Sequence, residues 1–280
     1  MRQIFAHLKS GTLLRCYKVI LLGSVLLVSG TVIPSDWNPS ISSYRRPEVH
    51  LPQHPWIALT FDDGPHPVMT EKLLAVLQQE HVPGTFFVVG KMVERYPQIA
   101  REIVRQGNEI ANHTFSHTRL TALNDKAVLG ELNQTQAVIR RLTGCETVLF
   151  RPPGGDYNRE TVRVASHAGY HMVLWSILTN DIHGGSQKRI YRRIMKGAED
   201  GGIVLMHSGM ENSIDVLPRV IASLRQKGFH FVTVSTLMGL SSAQDVLPKP
   251  PEAPLPPAPQ PVPPTLRQRL VYKTALHALL

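Results

Sequence analysis

Between residues 56 and 234 the chain alternates short apolar runs with stretches in which apolar residues return every three or four positions. The runs lie at 56–61, 85–89, 109–111, 147–150, 172–175, 203–206 and 229–234; the helical stretches include 70–79, 98–106, 126–142 and 216–227. A short run rich in β-branched and aromatic residues predicts a strand buried on both faces, and the longer recurrence predicts a helix with one apolar stripe. Strand followed by helix, about seven times over, predicts an α/β fold built on parallel strands. No glycine-rich phosphate fingerprint follows a strand, which favours barrel-like closure over an open dinucleotide-binding sheet. No shorter internal repeat interrupts the pattern.

Both ends of the chain break it. Arg2, Lys9, Arg15 and Lys18 precede an apolar run from Val19 to Val28 that continues to Ile33. Basic residues ahead of a short apolar stretch predict an export signal over residues 1–35. Ser29 and Gly30 would suit cleavage, but no Ala-x-Ala stands there, so a cleaved leader and a retained membrane anchor both remain open. Either places the body outside the cytoplasm, in the periplasm or cell envelope. Residues 36–55 are polar and proline-punctuated, the composition of a linker, ahead of a single catalytic domain at 56–245. Ten prolines among the seventeen residues 248–264 predict an extended spacer over 246–265. Residues 266–280 set apolar side chains at loose helical spacing around Arg267, Arg269 and Lys273, which suits either a short amphipathic helix or a frayed tail.

Composition narrows the chemistry. The 280 residues, 42% hydrophobic, suffice for one sizeable core, and a formal charge of +9 would suggest a polyanionic partner. The excess sits at the ends: +5 over residues 1–47, +1 over 48–245 (20 basic minus 19 acidic) and +3 over 246–280. So nearly neutral a folded part argues against nucleic acid, whose groove needs clustered cations on the folded surface. The two cysteines, Cys16 and Cys145, are too few for a disulfide framework or a Cys-type zinc site. Any metal here must therefore use histidine and carboxylate.

The polar residues that stand out follow the predicted strands. Asp62 and Asp63 follow the first, His113 and His117 the third, Arg151 the fourth and Asp181 the fifth, while His207 ends the sixth. In a parallel barrel all strand carboxyl ends open on one face, so these groups would converge. His113 and His117 stand four apart, a separation that lets two imidazoles reach one ion from a helical turn or compact loop. With an aspartate from a neighbouring strand end they offer two nitrogens and one oxygen and leave a position open, the layout of catalytic rather than structural zinc. The second carboxylate would then serve as base, and His207 is placed to protonate the amine that leaves when an amide is cleaved.

In these residues the chain resembles the polysaccharide deacetylases that share the NodB homology domain, carbohydrate esterase family four. Five motifs can be read in order: Thr60-Phe61-Asp62-Asp63-Gly64, His113-Thr114-Phe115-Ser116-His117, Arg151-Pro152-Pro153-Gly154-Gly155, Trp175 to Asp181, and Leu205-Met206-His207. The resemblance implies an irregular (β/α) barrel of about seven strands, a divalent metal, mostly zinc, and hydrolysis of N-acetyl groups on an acetylated amino-sugar polymer. Peptidoglycan, a chitin-like chain and poly-N-acetylglucosamine all present that group. It implies Asp62 as general base, Asp63, His113 and His117 as metal ligands, His207 as general acid, and Arg151 as the residue that orients the base. On the substrate side it implies an oxyanion contact from the Gly154 amide, a wall of the acetyl pocket at Leu205, and a place beside the substrate for Trp175.

Two positions depart from the family pattern. Gly154 stands where Tyr or Phe is frequent, which keeps the backbone N–H and loses a ring bordering the sugar. Leu178 stands three after Trp175, where Asp is common, and Asp181-Ile182 replaces an Asp-Trp pair. Asp181 is thus the candidate for orienting His207. Two alternatives stay open: a metal-dependent amidase or deacylase acting on a small molecule or an ester-bearing glycan, and a glycan-binding module whose catalysis has decayed.

Overall fold

The computed structural model describes residues 54–240. The expected leader, most of the linker, the proline-rich spacer, the tail and the last residues of the expected domain lie outside the described residues. One parallel sheet of eight strands organises the rest. In chain order these are β1 (Trp56–Asp62), β2 (Thr85–Val88), β3 (Glu109–Asn112), β4 (Leu149–Phe150), β5 (His171–Met172), β6 (Ile177–Leu178), β7 (Gly202–His207) and β8 (His230–Phe231). Across the sheet the order is β5-β4-β3-β2-β1-β7-β6, with β8 beside the first residues of β1. The barrel expected from the sequence is therefore present and irregular: the edge strands β5 and β6 share no ladder among the described residues.

The four stretches read as helical become α1 (Met69–Gln79), α3 (Pro97–Arg105), α4 (Asp125–Thr143) and α7 (Glu211–Gln226). The structure adds α2 (Gly90–Arg95), α5 (Arg159–His167), α6 (Gln187–Gly197) and α8 (Val234–Leu237). Local chemistry sets several ends. Pro97 opens α3, where its missing N–H costs nothing, and the side chains of Asn124 and Asn158 accept from Ala127 N and Thr161 N to cap α4 and α5. The run 229–234 divides into β8 and the start of α8. Asp181 follows the short β6 rather than the fifth strand.

Alternation along the strands builds two layers. Ile57, Leu59 and Phe61 of β1 point outward, packing with Leu73 and Leu77 of α1 and with Leu217 and Ile221 of α7. Ala58 points inward with Phe87, Ala111, Val173 and Ile203, and Val234, Leu237 and Met238 close this interior from below. The plug is pinned by polar groups: the Glu109 carboxylate accepts from Thr85 Oγ1 at 2.8 Å and Ser235 N at 3.3 Å. By the same parity Thr60 and Asp62 continue the inward face of β1, and Leu205 and His207 that of β7, toward the opposite, open mouth.

Candidate active site

Asp62 ends β1, and the chain turns at Asp63, whose φ is 71°. Opposite, residues 113–119 leave β3 as a loop without helix, with φ of 66° at Thr114 and 59° at His117. The two histidines thus reach inward from a compact loop. Its shape is held from outside: Asn112 Oδ1 accepts from Thr114 N at 2.8 Å, and Glu131 of α4 accepts from Phe115 N, Ser116 N and Ser116 Oγ at 2.8, 2.7 and 2.7 Å. Gly90 is required beneath it, since a Cβ there would lie 2.5 Å from the Phe115 ring.

Asp63 Oδ1 lies 3.3 Å from His113 Nε2 and 3.1 Å from His117 Nε2. His113 Nδ1 sits 2.8 Å from the Arg151 carbonyl, which places a proton on Nδ1 and leaves Nε2 as the nitrogen that faces Asp63. Burial alone would raise the Asp63 pKa, but the hydrogen bonds of His113 and His117 and the charges of His113 and His207 outweigh it and hold it well below the usual carboxylate range. The three donor atoms all lie within 4.8 Å of one another. Two imidazole nitrogens and one carboxylate oxygen, with the tautomer of one ring fixed from behind, fit an open divalent site of the zinc type. The structure brings together the three residues expected as ligands.

Arg151 is fully buried. Its Nη1 donates to Asp62 Oδ1 at 2.7 Å and Thr60 Oγ1 at 2.8 Å, while Nε and Nη2 donate to the carbonyls of Val173 and Leu174 at 3.2 and 3.0 Å. The guanidinium lies 4.0 Å from the Phe87 ring centroid. It therefore bridges the segment that joins β5 to β6 and fixes one oxygen of Asp62. The other, Oδ2, faces the triad, 3.8 Å from His113 Nε2.

Beside Asp62, His207 is its register partner on the neighbouring strand β7. His207 Nδ1 is 2.8 Å from Asp181 Oδ1, and Asp181 Oδ2 accepts from His207 N at 2.9 Å and Ser213 Oγ at 2.7 Å. Burial would lower the His207 pKa, but the hydrogen bond and charge of Asp181, helped by Asp63 and Asp62, raise it to about 9. Burial likewise opposes ionisation of Asp181, yet its bonds to His207 and Ser213 lower its pKa.

The expected substrate contacts surround this centre. Leu205 is buried one inward position below His207. Trp175 is half-buried, 5.7 Å from the Arg151 guanidinium. Gly155 passes beneath it so closely that a Cβ would stand 2.5 Å from the indole. Gly154 is exposed, at φ 65°, and its N–H has no hydrogen-bond partner among the described residues. Leu178 and Ile182 are exposed apolar side chains. Sequence reasoning did not reach Thr60, Glu131 or Ser213 as holders of the site. Thr60 had a signal, its place two residues before Asp62; Glu131 and Ser213 lie on distant helices and had none.

Residues 52–173 match the family model for polysaccharide deacetylase. The chain is 33% identical over 189 residues to a peptidoglycan-N-acetylglucosamine deacetylase of Bacillus cereus, covering 66% of this chain and 69% of that protein. It is 36% identical over 197 residues to the peptidoglycan-N-acetylmuramic acid deacetylase PdaC of Bacillus subtilis, covering 70% of this chain but only 42% of the relative's length. The solved structure of peptidoglycan deacetylase PdaC from Bacillus subtilis superimposes with a TM-score of 0.63 at 37% identity, over 67% of this chain and 92% of that one. The chain belongs to the polysaccharide deacetylase family, hydrolases that act on the amide bonds of acetylated sugars.

Proposed function

We propose that the domain removes N-acetyl groups from an envelope glycan built on amino sugars, with peptidoglycan the first polymer to test, and that it uses a divalent ion, zinc by preference, held by Asp63, His113 and His117. The observation that carries this is the shared mouth: a free carboxylate oxygen of Asp62 and the imidazole of His207 flank one three-donor cluster. Bound there, the ion would supply Lewis acidity and lower the pKa of a water molecule. Asp62 Oδ2 takes the proton of the attacking water while Arg151 occupies Oδ1. The Gly154 N–H donates to the carbonyl oxygen as it gains charge. His207, its Nδ1 tied to Asp181, gives its Nε2 proton to the leaving nitrogen; the C–N bond breaks, and acetate and a free amine result.

The names of the relatives support peptidoglycan but differ over which sugar is deacetylated, glucosamine or muramic acid. The export signal expected over residues 1–35 agrees with a substrate outside the cytoplasm.

The test is acetate release by the purified protein from peptidoglycan, chitin oligomers and poly-N-acetylglucosamine, before and after chelation and after zinc is restored. Release from one polymer, lost on chelation and regained with zinc, supports the reading and names the substrate. A folded, zinc-loaded protein inert on all three sinks it. Asp62→Asn should lose about 10²–10⁴-fold in rate with zinc retained, whereas His113→Ala should lose both.

A further inference from the structure

We propose that α6 and the cleft at its start form a second binding subsite, which takes the carboxylates of peptide stems carried on the glycan strand; only the identity of that strand rests on the deacetylase reading. α6 carries Lys188, Arg189, Arg192, Arg193 and Lys196 and no acidic residue, within a stretch, 48–245, whose net charge is only +1. Ile190 and Ile194 face the core; Lys188, Arg189, Arg192 and Lys196 are exposed, and Arg193 is half-buried and donates to the Thr179 carbonyl at 3.4 Å. None of the five forms an ion pair among the described residues, whereas Lys72, Arg105, Arg140, Arg141, Arg163 and Arg225 each meet a carboxylate. Like charges spaced along one helix repel, so nothing within the helix offsets the four exposed cations. An anionic ligand would.

The cleft, about 540 Å³, is lined by Ser186, Gln187, Lys188, Asn212 and Arg219. It runs from the start of α6 and from Asn212, near the start of α7, to Arg219 about two turns further along α7. Asn212 donates to the Gly185 carbonyl at 3.2 Å, and its neighbour Ser213 holds Asp181. The Arg219 guanidinium lies 4.2 Å from the Tyr191 ring, and the Tyr191 hydroxyl is 3.0 Å from Ser223 Oγ, so the cation is held in place before a ligand arrives. The acid beside the cleft, Asp215, accepts from Gln187 Nε2 at 3.2 Å. Two cations and two side-chain amides around this shallow depression suit discrete carboxylates on a chain. An uncharged chitin oligomer gives the cations nothing to pair with.

The test compares the wild-type protein with a Lys188→Gln/Arg219→Gln double variant. The ratio of kcat/KM on peptide-bearing peptidoglycan strands to that on a neutral chitin oligomer should fall about fivefold to tenfold, and the wild-type ratio should fall as salt is added. Co-sedimentation with peptide-bearing sacculi, which needs no turnover, should weaken in parallel. An unchanged ratio with unchanged co-sedimentation overturns the subsite, as does a loss confined to anionic phosphatidylglycerol vesicles, which would assign the face to a membrane surface. If the wild type releases no acetate from either substrate while the variant still loses sacculus binding, the deacetylase reading fails and the subsite stands.

Discussion

His207 can act as an acid only while it holds a proton, and its hold is set by Asp181. The raised pKa, about 9, keeps the imidazolium populated through neutral pH. The sign follows: its stabilising contribution is complete below the ordinary histidine value of about 6.5 and is lost as pH rises through about 9. Activity should fall on the same alkaline side, at a pH below that window once a divalent ion on the triad offsets the nearby carboxylates. Asp181→Asn removes the nearest negative charge, so the alkaline limb of the kcat/KM profile should move to lower pH and the rate at pH 8 should drop about 10- to 100-fold. A divalent ion on the triad pushes the pKa down in both proteins, so the comparison is made at equal metal loading. An unmoved limb would remove Asp181 from its role. Arg151 is the second decisive residue. Arg151→Met leaves Asp62 buried without its cation, and urea unfolding should show a loss of about 3–5 kcal/mol. Adding Asp62→Asn should recover part of that loss, because the two residues form one network.

The loop that carries both histidines depends on another element. Glu131, on α4, accepts three hydrogen bonds from residues 115 and 116, so α4 acts as a splint for the loop of the two histidines. Glu131→Ala should weaken zinc binding about 10- to 100-fold in competition with a chelator while leaving the helical signal of the protein unchanged; equal zinc affinity would mean that the loop holds itself. The same division explains what could be read in advance. The side chains proposed to meet substrate or metal sit in short contiguous motifs at strand ends, and long apolar runs such as that of β1 announce their strands. Glu131 and Ser213 act across sequence gaps, and nothing local marks them. β6 spans two residues, one of them the exposed Leu178, so it offers no alternation to detect. In α6 the apolar pair Ile190 and Ile194 is submerged among five cations, which hides the helical period.

At the scale of the whole barrel, the end opposite the proposed catalytic mouth is closed, and that closure includes a buried acid. Glu109 sits at the start of β3, accepts from Thr85 and Ser235, and has its pKa raised by burial, which its hydrogen bonds only partly offset. A carboxyl whose folded pKa lies above its unfolded value favours the fold fully at pH below the unfolded value, and that contribution disappears as pH rises through the folded one. The plug therefore weakens toward neutral and alkaline pH, opposite in sign to Asp63 and Asp181, whose lowered pKa values stabilise the fold above the usual carboxylate range and fail in acid. Glu109→Gln keeps an acceptor for the Thr85 hydroxyl and the Ser235 amide and removes the charge. Its melting temperature relative to wild type should be higher at pH 8 than at pH 4.5. A difference that does not change with pH would show that Glu109 reaches enough water to ionise freely, and that polar packing rather than a protonated acid closes the bottom of the barrel.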